Sequence, residues 1–182
     1  MLVLIKGAGD LAAGTAVRLY RAGIKVVMTE VAQPTAVRRT VAFSQCMYDG
    51  TAQVEGIVAC RAEDAGAARR ALERGEVPVL CDPEAAILRE LPFDGVVDAI
   101  LAKRNLGTAI TDAPVVLALG PGFTAGVDCH GVVETMRGHN LGRLLTQGSA
   151  APNTGVPGDV GGYTIQRIIR APADGAFEPL AA

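Results

Sequence analysis

Apolar residues fall in short runs separated by polar stretches with helical spacing, and this alternation predicts the order of elements. Strands are predicted at Leu2–Ile5, Lys25–Thr29, Val54–Cys60, Val77–Cys81, Gly95–Ile100 and Val115–Leu119. Between the first two, Leu11–Ala22 repeats apolar positions at helical spacing and ends at Gly23, a residue suited to a helix C-terminus. Ala62–Arg74 has a helix-forming composition and ends at Gly75. Asp82-Pro83 predicts an N-cap and first turn leading into a helix over Glu84–Glu90. Pro34 can begin a short helix, Val41–Gly50 reads as irregular, and Pro78 must lie where no ladder donor is needed, such as a strand start. Strands alternating with helices predict a Rossmann-like, doubly wound parallel sheet. From Asp128 the pattern changes: Val132-Val133, Leu144-Leu145 and Tyr163–Ile169 are broken by glycines and prolines, which predicts strands and tight turns. The expected organisation is a Rossmann-like nucleotide-binding domain over 1–126 and a short β-rich extension over 127–182.

The joint between the first strand and first helix carries the first candidate chemistry. In Lys6-Gly7-Ala8-Gly9-Asp10-Leu11-Ala12, Gly7 permits a tight turn and Gly9 lets main-chain amides approach a phosphate. Small Ala12 allows helix and strand to pack closely, and Asp10 belongs to the same turn. A phosphate would sit on the helix N-terminus. The second strand ends in Glu30, about 20 residues beyond Gly9, where a carboxylate is placed to accept hydrogen bonds from a ribose diol. An acid there repels a 2′-phosphate, so NAD or another adenosine-containing nucleotide is expected in preference to NADP. Arg38 and Arg39 either pair with phosphates or form a solvated face.

Ligands of such sheets collect at the carboxyl ends of the strands. After the fifth predicted strand, Lys103, Arg104 and Asn105 offer two cations and an amide beside Gly107. After the sixth, Gly120-Pro121-Gly122-Phe123 forms a constrained turn with main-chain donors. Joint participation of these loops with Gly7 and Glu30 in one crevice is the expectation. The segment 128–143 holds both histidines, His130 and His139, with Glu134 and Arg137. It lacks a recognised zinc spacing, so no metal site is assigned; Arg137 suits an anion or pterin contact better, with structural hydrogen bonding as the alternative. If chemistry occurs, His139 or Glu134 is the candidate for moving protons.

Composition narrows the alternatives. Of 182 residues, 49% are hydrophobic and 20% charged, enough for a sizeable core, and the net charge of -2 leaves no broad footprint for nucleic acid or an anionic membrane. Aromatic residues are 4% and tryptophan is absent, which disfavours a base-stacking surface. No apolar run suits a membrane span and the first residues lack the pattern of a signal peptide, so a cytoplasmic location is expected. The four cysteines are scattered without a C-x-x-C pair. Cys60 and Cys81 end apolar runs and are expected to be buried, whereas Cys46 and Cys129 fall in predicted loops where reactivity is conceivable.

Five blocks together resemble a known group: Gly7–Ala12, Gln33-Pro34 with Arg38–Thr40, Ala102–Thr108, Leu119–Phe123 and Glu134–Gly142. They are similar to the YqeB-type accessory proteins of selenium-dependent molybdenum hydroxylases, which look distantly related to XdhC/CoxI-type maturation factors. The resemblance implies a role in maturing such a hydroxylase and handling its molybdopterin-type cofactor. The implied partners are the hydroxylase or other maturation proteins, and a homo-oligomer is expected. It implies no settled catalytic mechanism, and whether a reaction is catalysed stays open. The alternatives are an NAD-dependent oxidoreductase acting on a small molecule and a nucleotide-sensing module without chemistry. Arg170–Leu180 resembles the opening of a biotinyl/lipoyl-like half-barrel; a few strands of a barrel cannot close their edge, so this tail is expected to dock elsewhere or to be poorly ordered.

Overall fold

The computed structural model describes residues 1–175. Its first compact unit, Met1–Pro152, is built on one nine-stranded sheet. In chain order come β1 (Leu2–Lys6), α1 (Asp10–Arg21), β2 (Lys25–Glu30), α2 (Cys46–Asp49), β3 (Thr51–Val54), β4 (Ile57–Ala62) and α3 (Ala65–Glu73). There follow β5 (Val77–Cys81), β6 (Gly95–Asp98), β7 (Val115–Leu119), β8 (Gly131–Val133) and β9 (Leu144–Leu145). The spatial order is β3-β4-β5-β2-β1-β6-β7-β8-β9. All pairs are parallel except β3 with β4 and β8 with β9, so the antiparallel strands lie only at the two edges.

Residue alternation along the strands sorts the core into two layers. Val3, Ile5, Val26, Met28, Val77 and Val79 face α1, with Phe43 and Met47 completing that layer. Leu4, Val27, Leu80, Val96, Val116 and Val132 face the layer holding Ala65 and Ala68 of α3 and Ile87. Helices therefore cover both faces, as a doubly wound sheet requires. The strands run outward from β1 in both directions, to β2 and to β6, which makes the carboxyl ends of β1 and β6 a topological switch point.

Several expectations change. The single strand expected over Val54–Cys60 is a hairpin, with Glu55 (φ 49°) and Gly56 (φ 84°) both in the left-handed conformation a two-residue hairpin turn needs. An acidic residue at the first of those positions hides the turn. The helix expected after Asp82 is only a 3₁₀ turn, Ala86–Arg89, although Asp82 does cap it by accepting from the Ala86 and Ile87 amides at 2.9 Å each. No helix starts at Pro34, while 39–49, expected to be irregular from Val41, holds two 3₁₀ turns and α2. Pro78 is the second residue of β5, ahead of the pairing with β2 that begins at Val79 but in register with Cys60 of β4.

The cysteines invert the reading from neighbouring residues. Cys46 and Cys129 are fully buried, whereas Cys81 is exposed and Cys60 half-buried. Burial pushes the Cys46 thiol up to about 12 and raises that of Cys129, so neither is a reactive thiolate.

The expected boundary at 126/127 falls inside the first unit, because β8 and β9 hydrogen-bond into the same sheet and the compact unit extends to Pro152. The second unit begins at Asn153. Instead of the strand expected over Tyr163–Ile169, it contains a bridge between Val160 and Tyr163 and a 3₁₀ turn at Ile165–Arg167. Gly161 and Gly162, both at positive φ, turn the chain, and the Arg167 guanidinium fixes it by donating to the Gly158 carbonyl at 2.8 Å. Of the half-barrel resemblance at 170–180, residues 170–175 contain no strand and the remainder lies outside the described residues.

Candidate functional site

A crevice of about 440 Å³ opens at the switch point. The turn after β1 and the first turn of α1 contribute Gly7, Gly9, Asp10, Leu11 and Ala12; β2 contributes Glu30; and Thr35–Val37 and Ala99–Leu101 form the remaining walls. The sequence dictates this shape locally. Gly7 has φ +92°, and a Cβ placed on it would lie 2.9 Å from the Ala99 carbonyl oxygen, so only glycine lets the turn and the chain after β6 approach so closely. Gly9 differs: nothing lies within 4 Å of its Cβ position, and its missing side chain leaves the approach to α1 open. The first turn of α1 carries N–H groups that no intrahelical carbonyl can reach, a site suited to an anion.

Charge in the crevice is mixed. One Glu30 oxygen accepts from the Ala8 amide and the other from the Val31 amide, at 2.9 Å each. The acid thereby ties the glycine turn to the end of β2. Asp10 stands at the helix N-terminus, where its carboxylate would oppose an anion, but the exposed Arg38 guanidinium pairs with it. Arg39 turns elsewhere, donating to Gln45 at 2.7 Å and lying 5.5 Å over the Tyr48 ring. Of the two arginines, only Arg38 adjoins the crevice lining.

The residues expected on later loops sit on the same edge of the sheet, since β1, β2, β6, β7 and β8 run parallel. They line a different surface. A Cβ on Gly122 (φ +110°) would lie 2.6 Å from the Arg104 amide nitrogen, and one on Gly120 (φ +77°) would meet Thr135 Oγ1 at 2.7 Å and Leu101 Cδ2 at 3.2 Å. The loops following β6, β7 and β8 are thus packed together, and Leu101 belongs both to this packing and to the crevice wall. Lys103 and Arg104 are exposed but do not line the crevice. Asn105 is a loop brace: its Oδ1 accepts from the Gly107 and Thr108 amides at 3.0 and 2.8 Å, and its Nδ2 donates to the Thr108 carbonyl at 2.8 Å.

Glu134, Arg137 and His139 surround a second concavity of about 110 Å³, together with Met136, Asn140 and Ala151. Glu134 is buried, and its two oxygens accept from the Met136 and Ala151 amides at 2.7 and 2.8 Å. These amides hold its carboxyl below the ordinary carboxylate range, so it stays ionised and is a poor carrier of protons. That corrects its candidacy as a proton-moving group; its geometry is that of a staple between the chain after β8 and Ala151. His139 remains an exposed imidazole of this rim. His130 is occupied elsewhere, its Nδ1 accepting from the Val116 amide of β7 at 3.0 Å. Among the described residues no three His, Cys, Asp or Glu side chains are grouped to hold a metal ion.

The chain is 56% identical over 174 residues to an uncharacterized protein, YqeB, of Escherichia coli strain K12. The YqeB-type resemblance is supported. The match covers 96% of this chain and 32% of YqeB, so the chain spans about a third of that relative's length. No family model matches the chain, and no solved structure matches it. No helix among the described residues is long and apolar enough to cross a membrane.

Three residues at the ends of β1 and β6 and in the loop that follows escaped the sequence reading. Lys6 and Asp98, at the ends of β1 and β6, are 2% and 1% exposed, and Thr108 is 3% exposed. A lysine and an aspartate closing otherwise apolar strand runs were the signal, visible but without a partner until the strands were aligned.

Proposed function

We propose that this chain holds an adenosine-containing nucleotide, of the NAD type, in the switch-point crevice, as an accessory protein in the maturation of a selenium-dependent molybdenum hydroxylase. The observation that carries the nucleotide reading is the open cradle at Gly9, on a glycine turn whose neighbouring wall is Glu30, at the switch point of a parallel sheet. A crevice of about 440 Å³ is in the range of small-ligand sites. The first-turn amides of α1 would meet a phosphate, with Arg38 offsetting the charge of Asp10. Glu30 keeps lone pairs free for a ribose diol while bonded to Ala8 and Val31.

The maturation role rests on the resemblance of the motif blocks to those of YqeB-type proteins. In this reading the exposed Lys103, Arg104, Arg137 and His139 meet an anionic second component, such as a molybdopterin-type cofactor, on the adjoining rim. Calorimetric titration of the chain with NAD⁺, NADH, ATP, CTP and molybdopterin tests it. Saturable binding of an adenosine-containing nucleotide, weakened by Glu30→Ala, is the expected result; affinity for none of these ligands refutes the reading.

A further inference from the structure

Beneath the crevice lies a charged cluster whose chemistry the fold does not need. Lys6 Nζ donates to Thr108 Oγ1 at 2.6 Å, and that hydroxyl donates to Asp98 Oδ2 at 2.6 Å, with Nζ and Oδ2 4.0 Å apart. Lys6 and Asp98 stand beside each other in register and share the face of Leu4 and Val96, so this is the place in the core where two more aliphatic side chains would fit the alternation. Apolar residues in place of a buried ion pair are often as stabilising or more so. The cluster must therefore be explained by what it holds.

It holds both ends of one segment. Asp98 Oδ1 accepts from the Ile100 amide at 3.1 Å, and Thr108 closes the turn braced by Asn105. Between these anchors the chain carries two L-residues in the left-handed conformation, Leu101 (φ 60°) and Lys103 (φ 63°), a strain that persists only where surroundings impose it. The same segment supplies Ala99, Ile100 and Leu101 to the crevice and lies against Gly7.

We propose that Lys6 is a positioning residue: through Thr108 and Asp98 it draws the segment 99–108 onto the end of β1 and so sets the width of the crevice between Leu101 and the glycine turn. The link to ligand binding rests on the nucleotide reading given above. The double variant Lys6→Met/Asp98→Asn tests it, because asparagine can still accept from Ile100 and donate to Thr108 while both charges disappear. Its melting temperature is expected to be unchanged or raised. Amide exchange at Gly107 and Thr108 is expected to quicken about tenfold or more, and NAD⁺ affinity to fall by about tenfold or more. Should the double variant fail to fold, Thr108→Val, which removes only the bridging hydroxyl, is read by the same two measurements. Unchanged exchange overturns the proposal, as does a loosened segment with unchanged NAD⁺ affinity. A wild-type chain that binds neither NAD⁺ nor any other ligand of the calorimetric titration sinks the nucleotide reading alone, and the exchange measurement then supports or overturns the clamp.

Discussion

The two halves of the sheet connect their strands by different means. Up to β5, a helix bridges the parallel crossovers: α1 between β1 and β2, and α3 between β4 and β5. Beyond β6, the links from β6 to β7 and from β7 to β8 contain no helix. Side chains supply the order instead. Asn105 closes its own turn, Asp112 accepts from the Ala109 amide at 3.0 Å, Asp128 accepts from the Thr124 amide at 2.7 Å, and Glu134 binds two amides. The comparison teaches that a polar residue on this rim is not thereby a ligand contact, since much of the later loops' polarity is spent on their own main chain. In the first half side chains also accept from the main chain, Glu30 from Ala8 and Val31 and Asp64 from Ala67, but they sit at strand ends and helix caps, and the first-turn amides of α1 have no intrahelical carbonyl to reach.

The largest effects are expected where each half forbids a side chain. Gly7→Ala would place a methyl 2.9 Å from the Ala99 carbonyl at φ +92°, and Gly122→Ala would place one 2.6 Å from the Arg104 nitrogen at φ +110°. A left-handed L-residue costs about 1–2 kcal/mol and an overpacked contact about 1–3 more, so each variant should lose about 2–5 kcal/mol in urea denaturation. Gly122→Ala breaks the comparison if it is mild. A loss below about 1 kcal/mol would mean that the helix-free half yields where the helical half does not.

How legible each half was in the sequence follows the same division. β1, α1, β2, α3, β5, β6 and β7 were readable because periodicity and glycine caps report regular elements directly, and Gly7, Gly9, Ala12 and Glu30 came with them. Even Val132-Val133 and Leu144-Leu145 were recognisable as β. Unreadable were features that depend on a distant partner. The Glu55-Gly56 turn required knowing that two short strands face each other, and the burial of Cys46 required the packing of Phe43 and Met47 against α1. Likewise Lys6 acquires meaning only beside Asp98, and Arg104 proves to be packing for Gly122 as well as a surface cation. Grouping all rim residues into one crevice was too coarse: Leu101 joins the walls, while Glu134, Arg137 and His139 surround their own concavity.

An intermediate effect is expected at Glu134. Glutamine there keeps one acceptor but turns an N–H₂ toward the other amide, so Glu134→Gln should cost about 1–3 kcal/mol. The carboxyl is held below its ordinary range in the folded chain, so its contribution is present above the unfolded value near pH ~4.3 and is lost as pH falls through the lowered folded value. Acid denaturation of the wild type should therefore be steeper below about pH 4 than that of Glu134→Gln. Parallel acid limbs would show that the two amides add nothing, and the chain after β8 would then owe its order to contacts other than Glu134.

The smallest effect on stability, and the sharpest on function, is expected at Gly9. Its φ of -65° suits any residue, and no atom lies within 4 Å of its Cβ position, so Gly9→Ala costs only the poorer N-cap, under about 1 kcal/mol. In the proposed nucleotide site, however, the added methyl would stand where main-chain amides meet a phosphate. In the same titration that detects nucleotide binding to the wild type, this variant should lose about tenfold or more in affinity while its urea midpoint barely moves. Gly7→Ala would lose both together, because there the methyl strikes the protein's own backbone. Two glycines in one turn thus separate the demands of fold and ligand, and unimpaired nucleotide binding by Gly9→Ala would remove the cradle from the site.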